Sequence, residues 1–171
     1  MTIAEILLQD YDVEMKNTRT TLERIPADKP DFKPHEKSMP CGRLAMHVAT
    51  LCRFGSAILS TDGMDMATTK WPTLVLENRE QLLATFDSLS AELRGHLTAA
   101  TDEQLQQNWK FSFGDKVIAN HPRSVLYRTM FFNHMIHHRA QLGVFLRLND
   151  VAFPGMYGPS ADEQKFWEQA A

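Results

Sequence analysis

The apolar residues of this chain recur three and four apart in four separate stretches, a spacing that dictates helices with one buried face each. Ile3, Leu7, Tyr11, Met15, Leu22 and Ile25 mark the first, roughly residues 3–25. Thr2 and Glu5 open it at capping-box spacing and Pro26 closes it. Leu44, His47, Val48, Leu51, Phe54 and Ile58 share one stripe of a second helix, from about Gly42 to Leu59. A third carries Leu82, Phe86, Leu89, Leu93 and Leu97 and ends near Ala100. A fourth starts near Pro122 and runs to about Leu148, with Leu126, Met130, His134, His138, Gln141 and Phe145 facing inward. Four amphipathic helices without sustained alternation predict an all-α four-helix bundle.

The connections are legible from their punctuation. Residues 26–40 hold four prolines, which predicts an ordered surface crossing without regular structure. The segment 61–72 reads as a loop ending at Pro72. Residues 109–118 alternate around Gly114-Asp115, predicting a short hairpin, an excursion too small for a sheet fold. In the tail, Ser160 and Glu163 have the spacing of a cap for a short terminal helix.

At 171 residues the chain is expected to form one domain over residues 1–171. With 18 basic against 21 acidic residues the net charge is −3, so the basic excess that dominates nucleic-acid affinity is missing. No stretch approaches the ~18 consecutive apolar residues of a membrane span. Glu5 and Asp10 interrupt the start of the chain, so it does not read as a signal peptide, and a cytoplasmic location is the expectation. The two cysteines, Cys41 and Cys52, would lie about 16 Å apart on one helix, too far for a disulfide. Cys41 sits beside Gly42 at a helix start, where a thiol pKa is lowered, but it has no neighbouring base; Cys52 reads as a core residue.

The histidines carry the chemistry. His134 and His138 are four apart, so on a helix their rings stack on one face close enough to share an ion. His47 occupies the inward stripe of a different helix. Three buried imidazoles without an ion would each need both a donor and an acceptor, whereas a shared divalent cation satisfies one nitrogen on each. His137 points about 100° away from His138 and is read as exposed. His35, His96 and His121 fall in loops or at stripe edges and carry no role. Met135 follows His134 where the HExxH metalloproteases carry their glutamate base, which argues against that peptidase chemistry. Three neutral ligands leave positions open for water or substrate and a full +2 charge at the site. A coordinated thiol, deprotonated by the ion, needs no protein base; hydrolysis by an ion-activated water is the competing chemistry.

The strings LxxHxxxL at Leu44 to Leu51, HxxxHRxQL at His134 to Leu142, and YGPSADE at Tyr157 to Glu163 together resemble the DinB/YfiT-like family of metal-binding four-helix bundles. Ala140 stands where many relatives have glycine. The resemblance implies an up-down-down-up bundle, often a homodimer, with a divalent ion such as zinc or nickel on His47, His134 and His138. It makes Arg139 and Gln141 recurrent neighbours of the site, with a salt bridge or loop anchor as their structural alternative. Tyr157 lines the pocket mouth or packs the tail. Characterised relatives include S-transferases joining a low-molecular-weight thiol to an electrophile, and thiol-dependent isomerases. The expected partners are therefore a small-molecule substrate and a small thiol, with no nucleic acid and no membrane. No catalytic side chain is assigned. A metal-dependent hydrolase and a non-catalytic, stress-related metal-binding protein are the alternatives.

Overall fold

The computed structural model describes residues 1–163. The first helix, α1 (Ile3–Leu22), begins as the cap spacing requires: the Glu5 amide donates to Thr2 Oγ1 at 3.1 Å while Glu5 Oε2 accepts from the Thr2 amide at 2.7 Å. It ends three residues before the expected Ile25. There the amides of Arg24 and Ile25 reach back only three residues, a tightening that leads into Pro26.

The proline-rich crossing is ordered because it caps the next helix. Pro40 offers no side chain to α2 (Cys41–Thr50), so the amides of Cys41 and Gly42 donate to the carbonyls of Phe32 and Pro30, both at 2.8 Å. The expected second helix is divided at Leu51, whose amide bonds three residues back to Val48, and continues as α3 (Cys52–Ser60). Gly55 lies where a Cβ would stand 2.6 Å from Leu93, so the close approach of α3 to its neighbour requires glycine. That neighbour is α4 (Arg79–Ala99), capped by Asn78 and burying Leu82, Phe86, Leu93 and Leu97, with Leu89 half-buried. A short α5 (Asp102–Gln106) follows.

The all-α expectation needs correction. Strands β1 (Gly63–Asp65), β2 (Asn108–Phe113) and β3 (Lys116–Pro122) form a sheet in the order β1-β2-β3, with β1 parallel and β3 antiparallel to β2. The hairpin turns at Gly114, whose φ of 55° favours glycine. The loop expected at 61–72 thus supplies a strand, held by a non-local pairing that local spacing does not encode. Trp109 is fully buried, and Phe54 of α3 packs edge-on against Trp109 and Phe111, which fastens the sheet to the helices.

The fourth expected helix is three segments: α6 (Arg123–Leu126), a π-helix (Tyr127–Phe132) and α7 (Asn133–Leu148). The Asn133 amide closes the wide turn on the Arg128 carbonyl. One extra residue per wide turn advances the buried stripe by one position, from the expected Met130, His134, His138 and Gln141 to Phe131, Met135, Arg139 and Leu142. His134 and His138 are consequently half-buried at the edge of the core, and Gln141 and Leu148 are exposed. The long helices share one core: α1 and α2 each pack on α4 and α7, and α3 packs on α4. The result is a mostly helical fold with a small sheet at its side. Ser160 and Glu163 bracket a 3₁₀ turn (Ala161–Glu163), with the Ser160 amide donating to Glu163 Oε2; any continuation of the expected terminal helix lies outside the described residues.

Candidate metal centre

His47 projects from α2 and His134 and His138 from successive turns of α7, two helices packed side by side. One ring nitrogen from each of the three lies within 4.8 Å of the others, and all three residues are half-buried. The His47 ring centroid stands 5.3 Å from that of His134 and 4.7 Å from that of His138. The residues singled out by helical spacing are therefore brought together from two helices. His137 is exposed, as its direction on the helix requires. His35 and His121 are exposed, and His96 pairs on its own helix with Glu92 at 3.6 Å.

Hydrogen bonds orient the two rings on α7. His134 Nδ1 lies 3.3 Å from the Met130 carbonyl oxygen, which only accepts, so Nδ1 carries the proton. His138 Nδ1 lies 2.7 Å from the side-chain amide of Gln141, which holds that ring in orientation. The two Nε2 atoms lie 2.8 Å apart, so the rings of His134 and His138 converge on one point. A divalent cation held by one nitrogen of each ring would satisfy them together. Burial, followed by the His138 and His134 rings and Arg43, pushes the His47 pKa down to about 4. Burial and His138 likewise lower that of His134 against the opposing pull of the Met130 carbonyl. Both are neutral at pH 7, the form that ligates a metal. Among the described residues the cluster includes no Asp, Glu or Cys, so three neutral nitrogens form an open ligand set suited to a divalent cation.

Both cysteines stand apart from this chemistry. Cys41 is fully buried, and desolvation pushes its thiol up to about 11, against the lowering expected from a helix start; that of Cys52 rises to about 12. Gln141 holds a ligand imidazole in orientation. Arg139 points the other way, into an ion pair with buried Glu14 at 2.5 Å, and Tyr157 bonds to both partners. Tyr157 thus packs the tail onto α1 and α7 and is not part of the histidine cluster.

Two openings flank the cluster. His47 and His134 wall a cavity of about 280 Å³ whose other sides come from α3, the sheet, the loop after β1 and the π-helix. His138 and Gln141 wall a second, of about 520 Å³, shared with Lys37 and Ser38 of the proline-rich crossing. Sequence spacing pointed to neither, because the walls belong to elements distant in the chain. The nearest signal was the run of Met64, Met66 and Trp71 in a segment that otherwise reads as a polar loop.

Comparison with known proteins follows the same lines. No curated protein matches the chain. Among solved structures, a DinB-like protein from Bacillus subtilis superposes with a TM-score of 0.68 at 20% identity, over 87% of this chain and 96% of that one. A DinB-like protein from Bacillus cereus gives 0.66 at 21% identity, over 88% and 95%. These likenesses show the fold. The sequence pattern of the DinB family matches residues 2–170, and the chain belongs to the DinB family.

Proposed function

We propose that His47, His134 and His138 hold a divalent ion, zinc or nickel, and that the protein is a metal-dependent enzyme transferring a small thiol to an electrophile. The observation that carries this reading is the convergence of three half-buried imidazoles, one ring nitrogen of each within 4.8 Å of the others, with an opening on either side. A bound divalent ion would supply a Lewis acid that keeps a small thiol as its thiolate at neutral pH. The chain's part is to position and to exclude. Met130 and Gln141 hold the His134 and His138 rings in orientation, and the cavity lays an apolar surface against His47 and His134. In the transfer, sulfur bonds to the electrophilic carbon as the bond to the leaving group breaks. The leaving group takes that electron pair, and the thiol's proton passes to solvent. No side-chain base is required, which agrees with a cluster free of carboxylates.

The up-down-down-up helix order, a single domain over residues 1–171 and a homodimeric, cytoplasmic state belong to the same reading. No helix among the described residues is long and apolar enough to cross a membrane. Cobalt-substituted protein tests the thiol directly. Adding 2-mercaptoethanesulfonate should raise a sulfur-to-cobalt charge-transfer band that His138→Ala lacks, and thiol consumption with an alkyl halide should fall to background in that variant. Turnover of esters or amides at full rate without thiol, and no such band, would favour a hydrolase. A metal-free protein that is unfolded would favour an ion with a purely structural part.

A further inference from the structure

The smaller cavity says what kind of molecule meets the thiol, an inference that rests on the thiol-transfer reading of the site. Its lining is Phe54 of α3, Met64 of β1, Phe111 of β2, Met130 of the π-helix, and Met66 and Trp71 from the loop after β1. Apart from the imidazoles, the side chains that line it include one hydroxyl, on Thr69, and no charge. A sugar, phosphate or carboxylate placed there would lose its water without finding hydrogen-bond partners. The volume, about 280 Å³, is roughly twice that of the ~150 Å³ apolar cavity known to accept benzene. Trp71 packs edge-on against Phe54 at 6.1 Å, and the three methionines are unbranched and polarizable, so the walls adapt to flat or branched hydrocarbon surfaces. The mouth stays apolar where water reaches it: Met66 is 51% and Trp71 44% exposed. The rim is nonetheless fixed, because Asp65 Oδ1 accepts from the amides of Ala67 and Gly114 and ties the loop to the hairpin turn.

We infer that the electrophile is a neutral, apolar molecule with an aromatic or branched body of about two rings, seated between Trp71 and the three methionines with its reactive end toward His47 and His134. The larger opening, with Lys37, Ser38 and Gln141 in its wall, is the side left for the polar thiol.

Calorimetric titration of zinc-loaded protein with 2-naphthalenemethanol, a neutral two-ring probe with no thiol or leaving group, tests the assignment. Wild type should bind it, while Met66→Asp and Thr69→Trp, both at exposed rim positions, should each weaken binding about tenfold or more with zinc content unchanged. The first puts a charge at an apolar mouth and the second fills the space. No binding to wild type, or equal binding to all three proteins, overturns the inference. The cobalt-thiolate band with 2-mercaptoethanesulfonate is read on cobalt-substituted preparations of the same three proteins. A band without naphthalenemethanol binding discards the apolar seat and keeps the thiol. Binding that both variants weaken, without a band, keeps the apolar seat and discards the thiol.

Discussion

His138 and Arg139 are neighbours in the chain, yet the two polar clusters they belong to are built on opposite plans. Arg139, 2% exposed, directs its guanidinium into a closed set: Nη1 meets Glu14 Oε2 at 2.5 Å and also donates to the Glu14 carbonyl and Thr18 Oγ1, while Nη2 donates to Tyr157. The Tyr157 hydroxyl donates in turn to the Glu14 carboxylate at 2.9 Å. Every strong group there has a partner from α1, α7 or the tail. One residue earlier, His138 and His134 turn their Nε2 atoms toward each other, and a ring nitrogen of His47 joins them, with no carboxylate or thiol in the cluster among the described residues. A polar cluster that closes on itself holds elements together; one in which three neutral imidazoles converge is built to take a ligand.

The contrast can be broken at the closed end with the largest effect. Arg139→Ala leaves Glu14 buried without its partner and should cost about 3–5 kcal/mol, read as a fall in the urea midpoint; Tyr157→Phe should cost less, because the ion pair survives. At the open end the order reverses. His134→Ala should lower metal affinity by more than the ~10–100-fold typical of a lost supporting group, while the metal-free variant melts close to the metal-free wild type, because the ring is only half-buried and gives up one long hydrogen bond, to the Met130 carbonyl at 3.3 Å. Gln141→Leu should fall between, weakening metal binding about 10–100-fold by freeing the His138 ring without removing it.

A gentler test uses pH. The folded pKa of His47 is near 4, below the ~6.5 of the unfolded chain, so the unfolded state binds the extra proton between those values. Metal-free protein should therefore have its full stability above about pH 6.5 and lose it progressively as pH falls toward 4. Thermal melts at pH 7 and pH 5 check this, and His47→Gln should flatten the difference. The tail pair acts in the same direction at lower pH: Arg147 and the Phe153 amide hold the Asp162 carboxyl down near 2, so its contribution is lost only in stronger acid.

The histidine cluster was legible in the sequence because its information is local: an i, i+4 pair and a third imidazole on another apolar stripe. The exact inward phase was not. A straight α-helical count from Leu126 places the histidines in the core, but the π-helix adds a residue and leaves Met135 and Arg139 buried in their stead. That same shift keeps His134 half-exposed at the cavity wall. The sheet was legible only as a hairpin. Gly63–Asp65 is three residues long and becomes a strand by pairing with Lys110–Ser112, nearly fifty positions away, which no local period records. The placement of Cys41 misled for a related reason: a helix start lowers a thiol pKa only where solvent or charge reaches it, and here the crossing loop buries it.

Metal content tests the central claim most directly. Protein purified without a tag, with zinc, nickel, manganese and iron quantified per chain by elemental mass spectrometry, should carry or take up about one divalent ion, and His134→Ala should carry none. Wild type that holds no ion and accepts none on reconstitution, or a variant that keeps it, would contradict the assignment of His47, His134 and His138 as a metal centre.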